Sequence, residues 1–153
     1  LCLDKDQSDS IRIRVAAIIQ QEEKVLLVCH EKDGRRYWML PGGGVKFGES
    51  LANTLIRELR EEVGVRIHPN SLVLVSDAIA PNGERHILNL FYTADLMEGT
   101  PVLGRDPRIV EVAFFSWEEF SHLVFYPDCK ETLLEMAALG FSNSARYLGN
   151  LWV

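Results

Sequence analysis

The chain has 153 residues, 47% of them hydrophobic and 25% charged, with a formal net charge of -6. That length and balance suit one globular unit with a substantial core, and the acidic charge argues against a nonspecific grip on long nucleic acid. No apolar run approaches the roughly 20 residues that a membrane-spanning helix needs.

Three cysteines, Cys2, Cys29 and Cys129, are far apart and odd in number. Neither a zinc knuckle nor a disulfide framework is expected, and a reducing cytoplasm fits best. Residues 1–10 are polar and are expected to form a flexible N-terminal segment. They lack the charged-then-apolar order of a signal peptide. The chain does not begin with Met, so a further upstream piece is expected.

Ile11 to Gln20 reads as a strand, with Arg12 and Arg14 alternating with Ile11, Ile13 and Val15. A polar turn at residues 21–24 leads to a second strand, Val25 to Cys29, which makes a hairpin. Lys32-Asp33-Gly34 is another turn. Tyr37 to Leu40 reads as a short strand stopped by Pro41 and a glycine loop, Gly42 to Gly44. Ser50 to Val63 is the strongest helix. Ser50 is its N-cap, Ala52, Leu55, Ile56, Leu59 and Val63 form a buried stripe, and Gly64 ends it.

Two apolar runs follow, Leu72 to Val75 and Ile87 to Leu96, separated by a Pro81-Asn82-Gly83 turn. Leu96 to Arg108 reads as a loop and Val110 to Phe115 as a strand. Ser116 with Glu119 predicts a capping box opening a short helix. A last helix is expected from Pro127 or Asp128 through Leu139. The tail, Phe141 to Val153, is too apolar to hang free and is expected to pack on the domain or on a partner chain. Without repeats or linkers one domain is expected. The order of strands and helices favours a mixed sheet over a doubly wound parallel one, hence an α+β class.

The chemistry concentrates on the central helix. Glu58, Glu61 and Glu62 lie at i, i+3 and i+4, so they share a face and repel one another there. Arg57 and Arg60 relieve part of that repulsion. Clustered carboxylates beside a glycine loop suit a hard divalent cation, and magnesium prefers such oxygen ligands. The plain alternative is a solvated helix face. Two other phosphate motifs fail on the same stretch: Glu49 stands where a Walker A loop needs lysine, and Gly42, Gly44 and Gly48 are wrongly spaced for a dinucleotide fingerprint.

The spacing Gly43, Glu49, Arg57-Glu58-Leu59, Glu61-Glu62, Gly64-Val65 resembles the Nudix box, G-x5-E-x7-R-E-U-x-E-E-x-G-U with U a bulky aliphatic, and fills every specified position. Trp38 to Gly43 before it, and Phe114 to Trp117 with Glu118 and Glu119 after it, are similar to family features. The resemblance implies a Nudix-type α/β/α sandwich with a mixed β-sheet, a single domain over residues 11–153, and a pyrophosphohydrolase that uses Mg2+, with Mn2+ as a substitute. It implies metal ligation by Glu61, Glu62 and the Gly42 carbonyl, and a ligand or general-base role for Glu58. Arg57 would orient the glutamates, and Glu49 would tie the loop to the helix.

Further candidates stand outside the box. Glu111 is where many relatives carry an additional catalytic or metal carboxylate; a surface glutamate at a strand start is the plain alternative. Glu84 is a weaker candidate of the same kind. Arg12, Arg14, Arg35 and Arg36 are candidates for phosphate or ribose, Tyr37 for stacking on a base, and Trp38 for the core. His30 and His86 are not expected to be ligands. Pro81 lies sixteen residues beyond Val65, about where relatives acting on ADP-ribose carry a proline. The implied substrate is a small nucleotide, with ADP-ribose or a related nucleotide sugar first. The alternatives are an (oxidised) nucleoside triphosphate pyrophosphatase of the MutT type and a non-catalytic nucleotide sensor. A homodimer is compatible with the apolar tail around Trp152.

Overall fold

The computed structural model describes residues 10–142 and 144–152. Cys2 and nearly all of the expected N-terminal segment lie outside the described residues. The elements run β1 (Arg12–Gln21), β2 (Lys24–Lys32), β3 (Arg35–Met39), β4 (Gly42–Gly44), α1 (Leu51–Val63), β5 (Arg66–Ile79), β6 (His86–Glu98), β7 (Ile109–Ser116), α2 (Trp117–Ser121), α3 (Lys130–Ala138) and β8 (Arg146–Asn150). Among the described residues no helix is long and apolar enough to cross a membrane.

The sheet is mixed, as the order of elements predicted. β1 is its pivot. It runs parallel to β6 from Arg12 to Ile19 and meets β2 only at Gln20 and Gln21. Beyond that hairpin base β2 turns away to pair with β3 and β7, and β4 takes the vacated edge of β1, antiparallel at Arg14, Val15 and Ala16. The sheet therefore splits between β1 and β2, and the glycine segment fills the fork. Gly42–Gly44 is thus a paired strand and not the loop expected from its composition. Glycine is needed because the backbones approach closely, and a Cβ on Gly42 would overlap the Val15 carbonyl oxygen.

Two apolar layers hold the helices. Val15, Ala17, Ile19, Leu26 and Val28 pack with Leu55, Leu59 and Val63 of α1. Ala16, Ile18, Val25 and Leu27, alternating with the first set, pack with Phe120 of α2 and with Leu133 and Met136 of α3. The sheet is sandwiched because β1 and β2 are apolar on both faces, unlike a half-solvated antiparallel sheet.

Three expectations are corrected. The Leu72–Val75 run is the middle of a 14-residue strand, which carries Pro69 and bulges along β6. β6 continues to Glu98, so the loop starts later than Leu96. The last helix begins only at Lys130. The tail packs on its own chain: β8 joins the sheet parallel to β5. Helix α1 is capped as read, with the Ser50 hydroxyl accepting from the Asn53 N–H at 3.1 Å and Gly64 at φ 70°. The Ser116–Glu119 capping box is also present.

Leu59 is fully buried between α1 and the sheet. Leu59→Ala should lower the unfolding free energy by about 2–5 kcal/mol in a urea titration. A loss below about 1 kcal/mol would mean that α1 does not carry this layer.

Candidate active site

Helix α1 turns its apolar stripe into the sheet and leaves its glutamates along the flank of that stripe. They differ sharply in environment. The Glu61 side chain is 59% exposed, that of Glu58 18%, and Glu62 is 7% exposed as a residue. Glu58 lies against β4, so that a Cβ on Gly43 would overlap its carboxylate.

Arg57 organises the group. Its Nε and Nη2 donate to the two oxygens of Glu49 at 2.8 and 2.9 Å. Nη1 donates to Glu58 Oε1 at 2.9 Å and Glu61 Oε2 at 3.2 Å, and Nη2 also reaches the Gly44 carbonyl at 3.2 Å. Glu49 accepts further from the Thr54 hydroxyl at 2.6 Å and the Lys46 N–H at 3.3 Å. Hydrogen bonds from Arg57, then from Thr54, bring the Glu49 carboxyl down to about 2. Those same bonds to Glu49 push the Arg57 guanidinium up.

Glu62 has the opposite environment. Burial pushes its carboxyl up to about 8, although the Arg14 charge and the Gly42 backbone amide act against the shift. Its Oε1 is buried with no hydrogen-bond partner among the described residues. A buried carboxylate with an orphan oxygen is costly unless a cation completes it. No three His, Cys, Asp or Glu side chains close into a cation cage among the described residues. The donor set nevertheless fits magnesium, which is commonly held by one or two carboxylates together with waters and substrate phosphates.

A cleft of about 780 Å3 opens beside these residues. One wall is α1, with Glu58, Arg60, Glu61 and Glu62; the other is the loop Val102 to Arg108. That loop is pinned to the end of α1. The Val102 N–H donates to the Val63 carbonyl and the Gly104 N–H to the Glu62 carbonyl, both at 3.0 Å, and a Cβ on Gly104 would overlap the Glu61 carbonyl oxygen. Asp106 grips Arg108 in a fork, with Nε to Oδ1 at 3.0 Å and Nη2 to Oδ2 at 2.7 Å.

Of the residues expected to bind substrate, two stand with this cluster. Arg14 is half-buried and donates through Nη2 to the Leu40 carbonyl at 2.8 Å. Burial lowers its pKa, against the raising effect of Glu62 and Glu58. Tyr37 stacks on His30, with ring centroids 5.5 Å apart and planes at 17°, and its hydroxyl is within electrostatic reach of Arg14 and Arg108.

The others are elsewhere. Glu111 is not beside the glutamates. The register sets it opposite Cys29, and Cys29 opposite Trp38, on the face that packs toward α2 and α3. Its neighbour there is Arg36, at 3.9 Å. Because side chains alternate along a strand, Arg36 and Glu111 lie across the sheet from α1. Pro81 lines a separate cavity of about 410 Å3 with Arg85 and Trp152, which none of the three glutamates reaches. Glu84 bonds Asn82 in the same turn. His86 bonds Asp77 at 2.7 Å. Sequence reasoning passed over Asp106 and Arg108 and set His30 aside. The two loop residues carry no periodic pattern, and only their presence in an Asp-Pro-Arg turn marks them.

The chain matches the family model described as NUDIX domain over residues 10–135. It is similar to an ADP-ribose pyrophosphatase of Methanocaldococcus jannaschii, 27% identical over 114 residues that cover 74% of this chain and 66% of that protein. It is similar to the Nudix hydrolase YvcI of Bacillus subtilis, 39% identical over 47% of this chain and 44% of that one, and to phosphatase NudJ of Escherichia coli, 28% identical over 70% and 69%. The matched part thus spans less than two thirds of the length of the first two. Among solved structures, a NUDIX hydrolase from Nitrosomonas europaea superposes with a TM-score of 0.74 at 24% identity, covering 86% of this chain and 90% of that one. The E. coli ORF135 protein superposes with a TM-score of 0.74 at 25% identity, covering 89% and 97%.

The Glu49–Arg57 contact has a pH signature. A carboxyl at about 2 when folded and in the ordinary range when unfolded stabilises the fold above the unfolded value. That contribution is lost as pH falls through the folded one. Glu49→Gln should therefore melt below wild type near neutral pH, with the Tm gap closing as pH falls from about 4.5 toward about 2. A gap that does not change with pH would rule out the charge-assisted contact as its source.

Proposed function

The chain belongs to the Nudix hydrolase family, whose members act on pyrophosphate bonds and generally use divalent metal ions, and we propose that it cleaves the diphosphate of a nucleoside-diphosphate-linked substrate by attack of water. ADP-ribose or a related nucleotide sugar is the preferred substrate. The observation that carries this reading is the buried, unpartnered oxygen of Glu62 at the edge of a cleft that also holds Glu58 and Glu61. The relative named ADP-ribose pyrophosphatase supports the choice of substrate.

In this reading Glu61 and Glu62 would hold Mg2+, or Mn2+ in its place, with help from the Gly42 carbonyl, and Glu58 would be the general base. The ion supplies charge neutralisation of the diphosphate and activation of water. The protein does the rest. Arg57 occupies Glu58 Oε1, which fixes the carboxylate and leaves Oε2 to accept a proton from the attacking water. Glu49 keeps Arg57 in place. The pinned loop Val102–Arg108 gives the cleft a fixed second wall. The water oxygen bonds to one phosphorus as the bridging P–O bond breaks, and two phosphate monoesters leave. For ADP-ribose these are AMP and ribose phosphate.

With magnesium, the purified protein should convert ADP-ribose to AMP, detected by chromatography. Glu61→Gln and Glu62→Gln should lose most of this turnover, on the order of 10²–10⁴-fold where the carboxylate takes part in the proton or metal chemistry, while their melting remains cooperative. Wild-type kcat in both variants would refute the assignment of the glutamates. Release of pyrophosphate from nucleoside triphosphates, without turnover of ADP-ribose, would move the chain to the triphosphate branch. No turnover across sugar nucleotides, dinucleoside polyphosphates and triphosphates would leave a sensor.

A further inference from the structure

Two cations that are not paired with the glutamates stand in or beside the cleft, Arg108 on its loop wall and Arg14 next to it. Arg14 is within electrostatic reach of Glu62 and Glu58, but its hydrogen bond goes to the Leu40 carbonyl. Arg108 is close enough to Glu62 to feel its charge, yet it is tied to Asp106 through Nε and Nη2. That fork leaves Nη1 of Arg108 without a partner among the described residues. His30 is held flat against Tyr37, with the Nε2 atom buried and unpartnered among the described residues. The fields of both arginines fall on it. Three elements contribute, β1, β2 and the loop before β7. The backbone fixes two of them to each other, because the Glu31 N–H donates to the Arg108 carbonyl at 3.0 Å.

We propose that Arg108, with Arg14 and His30 behind it, forms a second phosphate subsite at the edge of the cleft, taking the phosphoryl group of the substrate that the glutamates do not hold. The inference rests on reading the cleft as a diphosphate site. Glu58, Glu61 and Glu62 repel phosphate unless a cation lies between, so they can take only a phosphoryl group that shares their metal. The neighbouring phosphoryl group needs donors of its own. A guanidinium pre-aligned by a carboxylate, a second guanidinium beside it and an imidazole with a free ring nitrogen provide them, with little side-chain entropy left to lose at Arg108. If these arginines served only to neutralise the glutamates, they would be expected to bond to them. They bond instead to Leu40 and Asp106, which leaves their remaining donors for a ligand. Arg60 also lines the cleft, but no second element fixes it there.

The test uses α,β-methylene-ADP, which cannot be cut at its diphosphate, titrated calorimetrically into the full chain with chelator and no added metal. Arg108→Ala should weaken binding about ten- to hundredfold, the usual range for a lost charge-assisted hydrogen bond. Arg108→Lys should recover part of the loss. His30→Phe keeps the ring against Tyr37, removes the nitrogen and should also weaken binding. Arg66→Ala, whose partner Glu98 lies on the exposed β5–β6 pair, should bind as wild type does. Equal affinity for wild type, Arg108→Ala and His30→Phe would overturn the subsite, as would no metal-free binding by wild type. Turnover with magnesium separates the two claims. Arg108-dependent binding by a protein that hydrolyses nothing keeps the subsite and refutes the hydrolase. Turnover with KM and kcat unchanged in Arg108→Ala refutes the subsite and keeps the hydrolase.

Discussion

Arg57 donates to Glu49, Glu58 and Glu61 and to the Gly44 carbonyl, so that one guanidinium joins strand β4, the turn before α1 and α1 itself. Three carboxylates on one helical turn repel, and the fold tolerates them because this cation lies among them. The bonds are charge-assisted and mostly shielded from water, so they hold geometry better than an exposed ion pair would. The glycines answer the same constraint. Arg57 can reach the Gly44 carbonyl only if β4 lies flat against β1 and α1, and there a side chain on Gly42 or Gly43 would overlap the Val15 carbonyl or the Glu58 carboxylate. The fork in the sheet makes room for that strand.

The rest of the cleft is a balance of charges around Glu62. Its burial would be unfavourable for an ionised carboxylate alone, and the nearby arginines offset only part of that cost. In our proposal the balance is completed from outside the protein, by a cation on the helix wall and by a phosphoryl group on the loop wall. The net charge of -6 makes the second condition instructive: an acidic protein that binds a polyanion needs its few well-placed guanidinium groups where the ligand lies.

Helix α1 was legible from the sequence because its information is local. Ser50, the apolar stripe and Gly64 each act within a turn or two of themselves, and the Glu58, Glu61 and Glu62 spacing follows from the helical period. What was not legible depends on partners distant in the chain. Gly42–Gly44 reads as a loop until β1 supplies its hydrogen bonds. Leu72 to Val75 reads as a short apolar run, but bulges let β5 run on either side of it along β6. The tail becomes a strand only because β5 offers a free edge. The position of Glu111 and Arg36 was not legible for a related reason: a strand residue's face depends on register, and one position decides whether it meets α1 or lies across the sheet from it. Arg108 reaches the cleft on a pinned loop, His30 comes near it through strand pairing, and neither leaves a periodic trace.

These features converge on the claim that Glu62 is kept buried and incompletely bonded in order to hold a divalent cation beside a diphosphate. Electron paramagnetic resonance of free Mn2+ during titration with protein measures this directly. The account predicts that wild-type protein depletes the free-ion signal, that Mg2+ restores it by competition, and that Glu62→Gln loses most of the binding while remaining folded. Unchanged Mn2+ binding by Glu62→Gln, or no binding by wild type even with α,β-methylene-ADP present, would contradict it.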